Sequence, residues 1–378
     1  MIPLALVAGL WLGGHPRLLP GFARDVFVGD EDTRVVAEAI DRIEADFYRP
    51  IPRGQLVDAA VEGAVGTLRD RFSAYFDPRE YRDFRETADS RFSGVGLAVR
   101  GDRRGLRITR VYDKSPAARA GLRVGDVVTR AGRRSLAGMP EDASTALIKG
   151  PAGSEVRLTI RRGARSFSRT VTRATIAVPV VQRRSREVGG RRVGVVALES
   201  FSSGAHAEVY AAVRAAQRGG ARGLVLDLRG NPGGLVKEAQ LVASAFLTDG
   251  PIVTTRGRNV EEDTLQATGD PVAPRLPLVV LVDRNTASAA EIVSGALQDR
   301  DRARVVGRST FGKGVFQEVV PLANGGALDL TVGRYFTPDG RNLGGTGVVP
   351  DIQASDDPAS PADEALGAAL RALAPRLS

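Results

Sequence analysis

Three segments in the C-terminal half of the chain hold residue types that could do chemistry. Ser288 stands just before a helical pattern, Lys313 lies in a glycine-rich stretch, and Gly233 and Gly234 follow a buried apolar run. A serine hydroxyl is a weak nucleophile until a base takes its proton, and glycine turns can offer N–H groups to a negative charge. The segments therefore contain the residue types that nucleophilic chemistry needs.

Each segment also has a purely structural interpretation. Ser288 with Glu291 three residues later is a capping-box pattern, in which the serine simply caps the helix. Gly233 and Gly234 could form a plain turn, and Lys313 could be a solvated surface charge. The local patterns alone leave both interpretations open.

The segment around Lys313 also resembles a phosphate-binding loop. Residues 307–314 read G-x-x-x-x-G-K-G. A true P-loop needs Ser or Thr after the lysine to bind magnesium, and Gly314 stands there instead. It also needs a helix next, whereas residues 315–320 alternate like a strand. The sequence disfavours nucleotide binding.

The scarcity of some residue types narrows the chemistry. The chain has no cysteine, which excludes thiol nucleophiles and thiolate metal sites. With only His15 and His206, a histidine-based zinc site is almost excluded, and a Ser–His–Asp triad would need His206. We expect neither a metal nor another cofactor. Of 53 basic residues four are lysines, the residue that can be tuned to act as a base: Lys114, Lys149, Lys237 and Lys313.

The net charge of +9 raises the question of nucleic-acid binding. The arginines are spread along the whole chain, and aromatic residues make up only 5% of it, which is poor material for stacking on bases. We therefore expect no nucleic-acid partner. A basic surface facing an anionic membrane or cell-wall polymer fits the charge equally well.

The N-terminal part of the chain changes from apolar to helical in character. Within residues 1–23 the apolar run from Ile2 to Leu12 has about the length of a signal-peptide core and is short for a membrane span. No basic residue precedes it, so an uncleaved anchor is the alternative, and its proline and glycines argue against a buried first helix. Either form predicts export to the periplasm or cell envelope. Residues 24–90 repeat apolar side chains at helical steps, which predicts a helical N-terminal domain.

Residues 91–175 consist of short alternating strands around a glycine-containing turn. Pro116 is placed to open a short helix and Gly121 to close it. With the upstream loop, this region resembles a PDZ domain of the kind associated with bacterial proteases. In such domains the loop offers N–H groups to a peptide's C-terminal carboxylate, and the adjacent strand edge takes the peptide as an extra strand. The matching loop residues are Gly94, Val95, Gly96 and Leu97.

Residues 176–352 begin with a basic connector that contains Arg183, Arg184, Arg186, Arg191 and Arg192. After it, apolar strand patterns alternate with helical patterns, which predicts a mainly parallel sheet with crossover helices. Residues 353–378 form a polar tail with one Ala- and Leu-rich helix. The fold class predicted for the chain is a multidomain α+β and α/β protein.

Taken together, the three segments and the PDZ-like region resemble the C-terminal processing (tail-specific) peptidases of family S41. The resemblance extends to residues 334–341 and 347–351, and it implies an α/β core of the ClpP/crotonase kind. It implies that Ser288 is the nucleophile, Lys313 the base and Gln317 the residue that orients the lysine. It also implies an oxyanion hole formed by the N–H groups of Gly234 and Ala289.

The implied activity is that of a Ser–Lys endopeptidase acting on proteins with accessible C-termini, which the PDZ domain would recognise. Thr286 and Ala290 stand where family members commonly have serine, but neither maps to a catalytic role. The alternative is a catalytically silent peptide-binding or scaffold protein of the same fold. The sequence leaves open the oligomeric state, the physiological substrate, and whether the PDZ domain gates the site or only recruits to it.

Overall fold

A computed structural model describes residues 31–357 and 359–377 of the chain. The chain divides into two compact units, one of residues up to Asp77 with Val319–Leu330, the other of Pro78–Glu318 with Thr331–Ser378. The predicted signal or anchor at residues 1–23 lies outside the described residues. Within the described ranges, no helix is both long and apolar enough to cross a membrane.

The first unit contains the predicted N-terminal helices. Its elements in the N-terminal part of the chain are α1 (Glu31–Asp46), α2 (Arg53–Gly66) and β1 (Ala74–Phe76). The Arg53 guanidinium donates to Asp41 at 2.6 Å and to Glu44 at 2.9 Å, so the start of α2 is held against α1. β1 pairs in antiparallel fashion with the beginning of β18 (Ala327–Phe336), where Ala74 faces Asp329.

The second unit opens with a helix and then forms the β-rich PDZ region. The helices are α3 (Pro78–Ala88), α4 (Pro116–Arg119) and α5 (Glu141–Ile148). The strands are β2 (Arg91–Gly94), β3 (Leu97–Asp102), β4 (Gly105–Val111), β5 (Val127–Ala131), β6 (Arg134–Ser135), β7 (Glu155–Arg162), β8 (Arg165–Thr172) and β9 (Ala174–Ala177). The main sheet has the order β3-β4-β5-β7-β8, so β3 is an edge strand of that sheet.

The remainder of the second unit is the α/β core. Its helices are α6 (Ala205–Arg218), α7 (Val236–Ser244), α8 (Ala289–Asp299) and α9 (Glu364–Leu373). Its strands are β10 (Val181–Val188), β11 (Arg191–Leu198), β12 (Gly223–Asp227), β13 (Pro251–Gly257), β14 (Asp263–Gln266), β15 (Leu278–Val282), β16 (Arg304–Gly307) and β19 (Ile352–Gln353). β17 (Val315–Pro321) and β18 run from one unit into the other.

The central sheet of the core has the order β10-β11-β12-β15-β16-β19. The pairs from β11 to β19 are parallel, which confirms the predicted crossover architecture. Successive residues of a strand face opposite sides of the sheet, so the two faces have separate apolar layers. Leu224 and Val280 pack in the cluster that includes α6, α7 and α8, whereas Val225 and Val279 pack against α9. A fully buried strand such as β15 is therefore apolar at every position.

The predicted basic connector is wrong, because Arg183, Arg184 and Arg186 lie on β10, and Arg191 and Arg192 begin β11. β10 pairs with β11 over its whole length, from Val181 opposite Leu198 to Val188 opposite Arg191. Gly189 (φ +55°) and Gly190 (φ +75°) supply the two left-handed residues that a tight hairpin turn requires. The arginines are tolerated because β10 is the edge strand and most of its side chains are exposed.

Candidate active site

The three chemically suggestive segments all follow the carboxyl ends of neighbouring parallel strands. Residues 228–234 follow β12, residues 283–288 follow β15, and residues 308–314 follow β16. Parallel strands present their carboxyl ends at one edge of the sheet, and this edge is where open α/β sheets build their sites. The sheet order β12-β15-β16 thus brings the three segments together. The predicted chemistry requires this proximity, but the sequence does not specify the order of the strands.

Ser288 occupies the N-cap position of α8 with an unusual backbone. Its φ of +54° and ψ of −119° lie outside the regions that non-glycine residues normally adopt. Such strain persists only where the surroundings impose it, and it presents the side chain at a sharp strand-to-helix turn. Gly233 lies directly against this turn: a Cβ atom there would be 2.7 Å from Ser288 Cβ and 2.8 Å from the Ala287 carbonyl oxygen.

A buried asparagine fixes the glycine turn to the serine loop. Asn231 is fully buried, and its Nδ2 donates to the Leu198 carbonyl at 2.8 Å. Its Oδ1 accepts the Gly233 N–H at 2.8 Å, and its own carbonyl accepts the Ala287 N–H at 2.9 Å. Gly234 is therefore carried by a turn whose position relative to the serine is set by hydrogen bonds on both sides.

The Glu291 carboxylate connects the serine loop to the lysine loop. Its Oε2 accepts the Ser288 N–H at 2.8 Å and the Lys313 N–H at 2.9 Å. Its Oε1 accepts the Thr310 hydroxyl at 2.5 Å and the Gly312 N–H at 2.7 Å. Because one oxygen serves both, the main-chain nitrogens of Ser288 and Lys313 lie within about 6 Å of each other.

The protonation equilibrium of Glu291 reflects this position. The side chain is fully buried, and burial raises its pKa above the ordinary value of a glutamate. The donors from Thr310, Lys313, Gly312 and Ser288 oppose that rise without cancelling it. All four partners are donors, so the hydrogen-bond pattern is that of a carboxylate acting as acceptor on both oxygens.

Thr286 makes a second connection among the three segments. It is fully buried, its hydroxyl donates to the Leu228 carbonyl at 2.9 Å, and its carbonyl accepts the Phe311 N–H at 2.9 Å. The sequence assigned no role to this threonine. Threonine and serine both carry a hydroxyl, and this hydroxyl makes the bond to the Leu228 carbonyl. The replacement of the common family serine by Thr286 therefore preserves the connection. Ala290, the other departure, is buried in the core cluster.

Lys313 and Gln317 occupy different kinds of structure. Lys313 is half-buried in the loop two residues before β17, while Gln317 lies within β17 and donates from Nε2 to the Thr331 hydroxyl at 3.0 Å. Lys313 and Gln317 therefore do not share one strand. β17 confirms the predicted strand after the lysine, where a P-loop would have a helix.

Sequence reasoning noticed Glu291 only as a helix cap and missed Thr310 and Asn231 as parts of the site. The available signal was chemical type: a glutamate and an asparagine that are buried need several partners each. The local spacing does not identify those partners, because they are distant in sequence. Thr310, for example, is 19 residues from Glu291.

The predicted peptide-binding loop of the PDZ region joins β2 to β3. Gly96 has a φ of +84°, and a Cβ atom there would lie 2.2 Å from Ser115 Cβ, so only glycine fits. The Gly96 carbonyl accepts the Tyr112 N–H at 3.1 Å, and the Val95 carbonyl accepts the Ala117 N–H at 2.8 Å. These bonds engage the loop's carbonyl groups and anchor the loop to Tyr112, just after β4, and to α4. Leu97, which begins the edge strand β3, lines a cleft of about 540 Å³.

Comparisons with known proteins agree with this architecture. Residues 192–354 match the model of peptidase family S41, and residues 107–162 match the model of the PDZ domain. A carboxy-terminal-processing protease of Bartonella bacilliformis is 36% identical over 315 residues, covering 81% of this chain and 71% of that protein. A probable CtpA-like serine protease of Staphylococcus haemolyticus is 32% identical over 325 residues, covering 85% of this chain and 65% of that protein.

A solved structure is similar over nearly the whole chain. The photosystem II D1 C-terminal processing protease has a TM-score of 0.52 and 28% identity, and the match covers 92% of this chain and 100% of that one. This chain spans just under two thirds of the length of the staphylococcal relative. On the identity and coverage shared with the Bartonella protein, and on the matches to both domain models, the chain belongs to the carboxy-terminal processing proteases of peptidase family S41.

Proposed function

We propose that this protein is a serine endopeptidase of the Ser–Lys type that cleaves proteins at or near their C-terminal tails. Ser288 is the nucleophile, Lys313 is the general base, and Gln317 orients the lysine. The observation that carries the proposal is Glu291 Oε2, which accepts the N–H groups of both Ser288 and Lys313. A nucleophile and its base need such a fixed, short separation, because small misplacements are costly in rate.

In acylation, the proton of Ser288 Oγ moves to Lys313 Nζ while Oγ bonds to the carbonyl carbon of the scissile peptide. The lysine then gives this proton to the leaving amine, and water hydrolyses the acyl-enzyme in the second half of the reaction. Lysine can act in this way only when it is neutral. Arginine could not replace it, because its guanidinium does not lose a proton at usable pH.

The N–H groups of Gly234 and Ala289 form the oxyanion hole in this proposal. Ala289 is the first residue of α8, so its N–H is one of those that have no acceptor within the helix. Beside Gly234, the Leu235 N–H is already bonded to the Phe201 carbonyl at 2.8 Å, which fixes the turn. Each donor aimed at the developing oxyanion contributes about 3 kcal/mol to lowering the barrier by mutational precedent. The start of a helix also favours negative charge there.

The PDZ region would deliver the substrate. One support is the loop of Gly94, Val95, Gly96 and Leu97, in which the carbonyl groups of Val95 and Gly96 already accept hydrogen bonds from within the domain. The other support is the position of β3 at the edge of the sheet. A loop of this kind can take a peptide's C-terminal carboxylate while the peptide extends the sheet along β3. The partners in this proposal are proteins or peptides with accessible C-termini.

We also propose an extracytoplasmic location, in the periplasm or cell envelope. Its support is the apolar run within residues 1–23. The same run would anchor the protein to the membrane if it is not cleaved.

The proposal is tested with purified Ser288→Ala, Lys313→Ala and Lys313→Arg variants on an unfolded protein substrate. We expect each to lose nearly all cleavage, Lys313→Arg included, because the site needs a removable proton rather than a charge. The matched control is Lys114→Asn, which changes another lysine at a left-handed backbone position that asparagine tolerates and should cleave like the wild type. Full activity of Ser288→Ala or of Lys313→Arg would refute the mechanism. No cleavage by the wild type would favour the silent scaffold instead.

A further inference from the structure

The Tyr335 hydroxyl is buried at the active site without an ordinary hydrogen bond. Tyr335 lies near the end of β18, and its side chain is 1% exposed. Within the described part of the chain, its hydroxyl oxygen has no partner at ordinary hydrogen-bond geometry. A buried hydroxyl without a partner is costly, and phenylalanine would fill the same space without that cost. Packing alone therefore does not explain why this position has a tyrosine hydroxyl.

Two groups of the active site act on this hydroxyl. Burial raises the pKa of Tyr335 well above its ordinary value, the charge of Glu291 raises it further, and the Ser288 side chain lowers it as a hydrogen-bonding neighbour. The phenol therefore keeps its proton throughout the neutral range and is available as a donor. At rest the Tyr335 hydroxyl makes no hydrogen bond of ordinary geometry, and such bonds in active sites often form only when substrate binds.

The backbone of Tyr335 is tied to the loop that carries the lysine. Asn342 Nδ2 donates to the carbonyl groups of both Tyr335 and Gly314, at 2.8 Å each. The Tyr335 N–H also donates to the Gly314 carbonyl at 3.2 Å. Gly314 directly follows Lys313, and a Cβ atom on Gly314 would lie 2.4 Å from the Gly344 nitrogen, so the loop cannot easily shift. The backbone that carries the hydroxyl is thus held in a fixed place relative to the lysine loop.

We infer that Tyr335 is a positioning residue for the nucleophile: its hydroxyl donates a hydrogen bond to Ser288 Oγ and turns the serine proton toward Lys313. The inference rests on the proposed function, since it takes Ser288 as the nucleophile and Lys313 as the base. Tyr335 keeps its own proton throughout. The serine proton moves to Lys313 while the Oγ–carbon bond forms, and the tyrosine O–H stabilises the negative charge on Oγ until that bond is complete.

The test is Tyr335→Phe in the full chain, which removes one oxygen atom and no apolar volume. We expect kcat on an unfolded protein substrate to fall by about tenfold to a hundredfold with KM unchanged. The rate constant for labelling by a fluorophosphonate should fall by the same factor, because the same serine oxygen attacks the phosphorus of the reagent and displaces fluoride, without use of the PDZ region. The Tm should stay the same or rise, since the variant no longer buries an unsatisfied hydroxyl.

The matched control is Tyr210→Phe, whose hydroxyl donates to the Leu241 carbonyl at 2.9 Å. It should lower the Tm and leave kcat unchanged. If Tyr335→Phe matches the wild type in kcat and labelling while Ser288→Ala is inactive, this inference alone is overturned. A lower kcat accompanied by a lower Tm would make the hydroxyl structural and also overturn it. If Ser288→Ala cleaves as fast as the wild type, the proposed function fails and the inference fails with it.

Discussion

Replacing Glu291 by glutamine should move Ser288, the proposed nucleophile, away from Lys313, the proposed base, while leaving the volume of the core unchanged. The carboxylate accepts two donors on each oxygen, those of Thr310 and Gly312 on Oε1 and those of Ser288 and Lys313 on Oε2. Glutamine keeps one acceptor oxygen and replaces the other by an NH₂ group, which is itself a donor. Two of the four donors must then face another donor at hydrogen-bond distance.

The magnitude follows from which pair of donors loses its acceptor. Hydrogen bonds to a charged group contribute about 1.5–3 kcal/mol each. If the NH₂ group faces Ser288 and Lys313, two buried N–H groups lose their acceptor and the variant is destabilised by roughly 3–6 kcal/mol. If it faces Thr310 and Gly312, the Thr310 hydroxyl can turn to accept, and the loss is about half as large. In either case the loops that carry the serine and the lysine shift apart, so we expect kcat to fall by about a hundredfold or more.

The assay compares kcat on an unfolded substrate with the Tm of the same preparation. Glu238→Gln is the matched control, because Glu238 is also buried and accepts the Gly204 N–H at 2.8 Å and the His206 N–H at 2.9 Å, neither of which belongs to the serine loop or the lysine loop. Both variants should lower the Tm, and only Glu291→Gln should lower kcat of the folded protein. Wild-type kcat in Glu291→Gln, or an equal loss in the control, would refute the reasoning.

Two further changes test the glycine turn and the PDZ region. Gly233→Ala should abolish cleavage, because the new Cβ would lie 2.7 Å from Ser288 Cβ. The control Gly230→Asn should retain cleavage, because Gly230 has a left-handed backbone and open space around it. Equal activity of the two variants would contradict the close packing of Gly233 against the serine loop. Burial would raise the pKa of Asp126, but hydrogen bonds led by those of Arg162 outweigh it and lower the pKa below the ordinary value. The stabilisation is therefore present above about pH 4 and is lost as the pH falls through the folded-state pKa. Asp126→Asn should cost about 2 kcal/mol at pH 7 and less at pH 3, as measured by thermal unfolding; a deficit independent of pH would contradict this sign.

The strands and helices that build the site were predictable because their patterns are local. The apolar run Leu278–Val282 is β15, and the Ala- and Leu-rich helix predicted within residues 353–378 is α9. A strand that is buried on both faces of a parallel sheet has to be apolar at every position. This requirement is visible in the sequence as five consecutive apolar residues. The fold class followed from the alternation of such runs with helical ones.

The edge strand β10 was not predictable in the same way. An edge strand with an exposed face can carry Arg183, Arg184 and Arg186, so its composition resembles that of a connector. The signal that remained was the pair Gly189 and Gly190, which suits a tight hairpin turn. The two glycines can be interpreted as a hairpin turn only when the structure shows that β11 pairs with a strand on its outer side.

The residue types of the site could be read from the chain, and their connections could not. Ser288 before a helix, a glycine turn after a buried strand, and Lys313 as one of four lysines were visible as spacing and composition. That Glu291 accepts hydrogen bonds from both loops, and that the Tyr335 hydroxyl is buried beside Ser288, depends on which strands lie side by side in the folded chain. Periodicity records which face of an element is buried, but a polar atom's partner comes from a distant segment, and folding alone brings the two together.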